Sequence, residues 1–154
     1  MDNATKFFLF LHILTAVLWV GGGVTMHVFG QLARKSGDRG RMLQFSKDAN
    51  WIGPRFYAPL SVVLLICGFV LVNKENWDIS ETFVSIGLAG WVVSFLIGVL
   101  YYARAQKKMD AIVAGDGLES DAFLAQYRQV MFVNIAEQLM LMFIVFDMTW
   151  KPGL

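Results

Sequence analysis

Long apolar runs separated by short charged stretches dominate the pattern of this chain. Four runs approach the length of about 20 residues that a helix needs to cross a bilayer; they cover residues 7–29, 56–72, 83–102 and 130–150. The first run contains no Asp, Glu, Lys or Arg, whereas the fourth contains Glu137 and Asp147. None shows the alternation typical of a transmembrane β-strand. The pattern predicts an all-α integral membrane protein, a four-transmembrane-helix bundle that forms a single domain over residues 1–154.

The basic residues are concentrated in two of the three predicted loops. The first loop holds six Lys or Arg, the third loop holds four, and the opposite side holds three: Lys6, Lys74 and Lys151. Cytoplasmic loops of membrane proteins carry an excess of such residues. Ten against three therefore predicts a multi-pass protein with both long loops in the cytoplasm and both termini outside (N-out/C-out). Near the span ends, four aromatic residues are expected as interfacial anchors: Trp51, Trp77, Tyr102 and Trp150.

The loops carry local signals of their own. Residues 39–51 mix apolar and charged side chains, which is consistent with a short interfacial helix. Residues 78–81 resemble a capping box before the third span, with Asp78 as the cap and Ser80 as the alternative. Gly115 and Gly117 predict a chain break, and Ser120 or Asp121 could cap a helix that leads into the fourth span.

The composition argues against several classes of protein. The chain has 154 residues, of which 56% are hydrophobic and 16% charged, and soluble domains carry about 25% charged residues. A net charge of +1 argues against binding to nucleic acid through charge. The single cysteine, Cys67, excludes an internal disulfide and a cysteine-rich zinc site.

His12 is the most informative polar residue of the first span. At about 100° of rotation per residue it shares a helix stripe with small residues and one Trp; the stripe is His12, Ala16, Trp19, Gly23, Met26 and Gly30. Either a neighbouring helix or a flat ligand could approach such a face. One interpretation is a packing seam in which His12 is hydrogen-bonded. The other is a haem site with His12 as axial iron ligand and Trp19, Gly23 and Met26 against the cofactor.

His27 lies about 22 Å further along the same helix, so the two imidazoles are too far apart to bind one iron. Its position near the predicted headgroup region favours a solvated interfacial histidine. A contact to a haem propionate and a second haem are the alternatives.

The fourth span carries a polar cluster. Asn134, Glu137 and Gln138 are spaced i, i+3 and i+4 and share a face. Glu137 lies near the predicted bilayer centre, where burial favours the neutral carboxyl. The cluster is either a satisfied interhelical contact or a site for proton relay or substrate binding. Asp147, close to the span end, is expected to be hydrated.

Three stretches resemble known membrane families. The segment His12-Ile-Leu-Thr-Ala-Val-Leu-Trp19-Val-Gly-Gly22 resembles the first helix of the HemJ-type protoporphyrinogen IX oxidases and of the copper resistance protein D membrane domain. Arg55-Phe-Tyr-Ala-Pro59, with Gly68, is similar to their second helix. Phe146-Asp-Met-Thr-Trp-Lys-Pro-Gly153 resembles a related family of predicted integral membrane proteins of unassigned function, and that likeness covers all four spans.

The resemblance implies a four-helix bundle in a bacterial inner (plasma) membrane and haem b as a cofactor, with His12 at the position of the haem-binding His. The HemJ-type enzymes also carry a Lys in the third helix, and residues 83–102 contain none. No acyl-transfer, phosphate-binding or metalloprotease motif indicates another enzyme class.

Three functional hypotheses remain. The first is a small membrane protein that binds b-type haem in a redox or haem-handling role. The second is a non-catalytic subunit that packs as a homo-oligomer or in a larger membrane complex. The third is a transporter for a small solute or metal ion. In each the partner is the lipid bilayer, and no nucleic acid is expected.

Overall fold

A computed structural model describes residues 1–151 as four long helices. They are α1 (Asn3–Lys35), α2 (Arg39–Lys74), α3 (Thr82–Gly115) and α4 (Asp121–Trp150). Each is long and apolar enough to cross a membrane, and the described residues contain no strand. The predicted fold class is therefore confirmed. Each helix contains one of the predicted spans.

The helices form an antiparallel bundle in which each contacts the next one along the chain. α1 packs between α2 and α4, and α3 closes the ring against both. The side chains of Met148 and Ile144 of α4 lie directly on Gly87 and Gly90 of α3, in the space that a Cβ atom would take. Between 17% and 28% of each helix's most apolar window is buried inside the protein. Most apolar side chains thus point outward, as expected for a surface covered by lipid.

At one end, here called the basic end, which carries the loops at residues 36–38 and 116–120, all four helices continue past the predicted apolar spans. Helices of 30 to 36 residues are about 45–54 Å long, whereas the hydrocarbon core is about 30 Å thick. The extensions enclose a small apolar core of Ala33, Met42, Met109, Phe123, Tyr127 and Met131. The expected interfacial helix is present at Arg39–Ile52, but it is the first part of α2 and packs into this core rather than standing alone.

Two short π-helical segments, Gly53–Tyr57 in α2 and Ile97–Tyr102 in α3, lie side by side near the basic end. In the first, the Ala58 amide donates to the Gly53 carbonyl, five residues back. Pro54 and Pro59 lack the amide hydrogen that an α-helix would use, so the wider turn lets the helix continue through them.

The helix ends confirm part of the capping prediction. Ser120 accepts a hydrogen bond from the Phe123 amide at 3.2 Å and begins α4, while α3 ends at Gly115 and Gly117 has φ 88°. The capping box at residues 78–81 is wrong, because Asp78 accepts from the Ser80 amide and hydroxyl and α3 begins only at Thr82. These two bonds hold the pKa of Asp78 below its usual value.

Candidate functional site

A cavity of about 310 Å³ lies inside the bundle. It reaches from the middle of the helices, at Ser61, Ser94 and Glu137, to Phe45 and Gln106 at the basic end. All four helices contribute to its wall. The diagonal pairs, α1 with α3 and α2 with α4, are not in close packing contact, and this leaves the central space open.

Glu137 is the central polar group of this cavity. Its side chain is 8% exposed and lies near the middle of α4. One carboxyl oxygen accepts a hydrogen bond from the Ser94 hydroxyl, and the other accepts from the Tyr102 hydroxyl at 2.7 Å. Both donors come from α3, so the carboxyl links α3 to α4 and its two oxygens are each satisfied once.

A chain of polar groups leads from Glu137 across to α1. The Asn134 amide lies 3.5 Å from the Tyr102 hydroxyl, which is long for a hydrogen bond, and its carbonyl lies 2.8 Å from His27 Nδ1. His27 Nε2 is 3.3 Å from the Gln31 amide. An imidazole of His27 with its proton on Nδ1 makes both hydrogen bonds, because Nδ1 donates to the Asn134 carbonyl and Nε2 accepts from the Gln31 amide. The expected solvated His27 is therefore wrong, because the ring is part-buried and tied to α4.

Gln138 lies beside Glu137 and faces α1. Its amide occupies the space that a side chain at Gly23 would take, so no Cβ atom fits there. The residue is 5% exposed and its Oε1 has no hydrogen-bond partner. A buried carbonyl oxygen without a partner in a cavity wall is a place where a donor or a positive charge would be stabilised.

Among the described residues that line the cavity, Glu137 is the only Asp, Glu, Lys, Arg or His. The other titratable groups in the lining are the phenols of Tyr57, Tyr102 and Tyr127. The Tyr127 hydroxyl is already used, since it donates to the Gly30 carbonyl at 2.8 Å. Six aromatic side chains form much of the apolar wall: Trp19, Phe45, Tyr57, Phe95, Tyr102 and Tyr127.

The structure divides the predicted stripe on α1. Trp19, Gly23 and Met26 line the cavity, but His12 is not among the lining residues. His12 Nδ1 lies 3.0 Å from the Leu64 carbonyl of α2, and its ring packs against Gly68. Because helices cross at an angle, one stripe of α1 meets α2 at one depth and α4 at another. In residues 1–151 no three His, Cys, Asp or Glu side chains cluster as metal ligands.

Asp147 differs from its expected state. It is 3% exposed rather than hydrated, and its Oδ2 has no hydrogen-bond partner. It does not line the cavity that contains Glu137.

Sequence reasoning missed the partners of Glu137. The aromatic pattern places Tyr102 at the membrane interface, and Ser94 stands out only as a serine in an apolar span. In an ideal α-helix these two residues point about 80° apart. The π-helical segment Ile97–Tyr102 changes that rotation, so both hydroxyls reach one carboxyl. The available signal for these partners is a serine and a tyrosine about two turns apart in one apolar span, together with a buried acid in another.

One family model matches the chain over residues 6–152, and its description is "Predicted integral membrane protein (DUF2269)". No curated protein and no solved structure matches it. Of the chain-end motif, Pro152 and Gly153 lie outside the described residues. Because the match covers nearly the whole chain, the protein belongs to this family of predicted integral membrane proteins.

Proposed function

We propose that the protein binds a small solute in the cavity within the membrane, with Glu137 as its central polar contact and with entry from the basic end. The observation that carries this proposal is the unsatisfied Oε1 of Gln138 in the same wall as the buried carboxyl. Ligand sites are mostly apolar cavities of about 300–1,000 Å³ with a few convergent polar groups. Of the three hypotheses from the sequence, this proposal develops the third, a transporter, with a small solute rather than a metal ion as its cargo.

Cysteine labelling tests whether the cavity admits water and solute. Met26 lines the cavity, while Val28, two residues along at nearly the same depth, is 50% exposed on the outer face. With Cys67 replaced by Ala, we expect N-ethylmaleimide to modify Met26→Cys at least about tenfold faster than Val28→Cys. Maleimides react with the thiolate, which forms in water and not in lipid.

The unmodified Cys67→Ala protein gives the background rate. Equal, slow labelling of both folded variants would contradict a cavity that solutes can enter. Faster labelling of Val28→Cys would show that the outer face, rather than the cavity, meets water.

A second candidate is binding of haem b, favoured by the geometry of His12. If Nδ1–H donates to the Leu64 carbonyl, Nε2 keeps its lone pair, which is how axial histidines are oriented. His12 would then supply one axial ligand at the α1–α2 contact, although it does not line the cavity described above. When bound, haem would supply redox chemistry, and His12 would hold the iron. His27 is hydrogen-bonded to Asn134 and lies too far along α1 to be a second ligand of the same iron.

An absorption spectrum tests this candidate. In protein expressed with ample haem, a Soret band is expected that His12→Ala abolishes and His27→Ala largely retains. A colourless wild-type protein would remove haem from the account and leave the cavity proposal standing.

For the orientation we propose N-out/C-out in a bacterial inner membrane. The ten basic residues near the basic end support it, against three at the other. In spheroplasts, a tag at either terminus should be accessible from the outer side of the membrane, while one inserted at residue 116 should not. A terminal tag reached only after the membrane is opened would reverse the assignment.

A further inference from the structure

The charge balance of the cavity identifies the class of solute. Each oxygen of Glu137 receives a hydroxyl hydrogen bond, from Ser94 and from Tyr102. Both hydroxyls can donate to an ionised carboxylate, while a protonated carboxyl would donate to one of them and accept from the other. Yet no Lys or Arg appears among the described residues that line the cavity. An ionised carboxylate at this depth needs a positive partner that the lining itself does not supply.

The walls suit a cation that is itself apolar. Six aromatic side chains line the cavity, and the faces of such rings attract organic cations once water is removed. The unpartnered Gln138 Oε1 adds a further partial negative charge in the wall of the same cavity. A small inorganic ion would need several oxygen ligands in a tight shell, whereas much of this wall is carbon.

We propose that the cavity binds a small organic ammonium ion, which pairs with the Glu137 carboxylate and takes the place of its proton. This proposal rests on the cavity being a solute site and specifies the solute. In the empty protein the proton neutralises Glu137 and one hydroxyl partner reverses its hydrogen bond. When the cation enters, the carboxyl releases that proton and again accepts from both hydroxyls. Charge is conserved, because one cation enters as one proton leaves.

Proton exchange fixes the pH dependence of binding. Glu137 is hydrogen-bonded to Ser94 and Tyr102 from α3; Tyr57 of α2 and Trp19 of α1 line the same cavity, and His27 is reached through Asn134. None of these carries a permanent charge, so the proton on Glu137 is the competitor of the cation. Affinity should therefore rise by up to about tenfold per pH unit while Glu137 is protonated in the empty state.

A pair of probes of equal shape tests the proposal. Benzyltrimethylammonium and neopentylbenzene differ only in a charged nitrogen in place of a carbon. In the Cys67→Ala, Met26→Cys protein, the cation should slow labelling by N-ethylmaleimide more strongly as the pH rises. The neutral compound should not. In weakly buffered solution, about one proton should appear per cation bound to the wild-type protein.

Glu137→Gln is the decisive variant, since it keeps the size and polarity of the side chain. Its protection by the cation should be lost, together with proton release. Protection by the neutral compound alone would overturn the cation inference and retain the cavity as a solute site. Fast labelling without protection by either probe would overturn the cation inference, and absence of fast labelling would overturn the solute site itself. Protection by the cation that persists in Glu137→Gln would exclude Glu137 as its partner.

Discussion

Replacing Glu137 with Leu should destabilise the bundle, while replacing it with Gln should leave the fold intact. Leu removes the acceptor for the hydroxyls of Ser94 and Tyr102, both at the contact between α3 and α4. A buried polar group left without its partner costs about 1–3 kcal/mol. Gln keeps a carbonyl oxygen as acceptor and adds a donor, so its effect should stay within about 1 kcal/mol. Denaturant titration of the detergent-solubilised protein measures both.

Phe143→Leu is the control for a substitution in α4 away from the contact with α3, since Phe143 is 55% exposed on the outer face of α4. It should unfold like the wild type. If Glu137→Leu is as stable as the control, the hydrogen bonds to Glu137 do not hold α3 against α4.

Adding one methyl group to α1 should have opposite effects at two nearby positions. Gly23→Ala places a Cβ where the Gln138 amide lies, so the amide must move or α1 must shift. Overpacking costs up to about 1–3 kcal/mol, and less where the displaced group is the flexible end of a side chain, as the Gln138 amide is. Gly21→Ala meets no atom within 4 Å and gains helix propensity, about 1 kcal/mol in a soluble helix. The same titration should show Gly23→Ala less stable than wild type and Gly21→Ala no less stable.

Each variant also reports on the cavity. Displacement of the Gln138 amide should alter labelling of Met26→Cys in the Gly23→Ala background and leave it unchanged with Gly21→Ala. Equal stability and equal labelling of the two variants would mean that α1 does not pack on Gln138.

Hydropathy was sufficient to predict the four spans because each apolar run is set by the thickness of the bilayer. The extensions beyond the membrane were harder to predict. Met42 and Phe123 lie in charged segments whose apolar residues become a core only when four helix ends meet. Gly53 and Pro54 usually interrupt a helix. Here π-type hydrogen bonding carries α2 through them, and hydropathy contains no signal for that.

Part of the candidate site could also be predicted from the sequence. Glu137 and Gln138 are conspicuous in an apolar helix, and Trp19, Gly23 and Met26 do face the cavity. The sequence did not indicate that His12 would turn to Leu64 while Trp19, Gly23 and Met26 line the cavity. Such a difference depends on the angle at which α1 crosses its neighbours, which a one-helix projection leaves out.

Infrared spectroscopy of Glu137 tests the central claim, a buried carboxyl in a cavity that water can enter, most directly. In the empty protein at neutral pH, the difference between wild type and Glu137→Gln should contain a protonated carboxyl band. That band should shift promptly when the protein is transferred to D₂O, because the proton can leave through the cavity. A band that does not shift, or a carboxylate signal alone, would contradict the account.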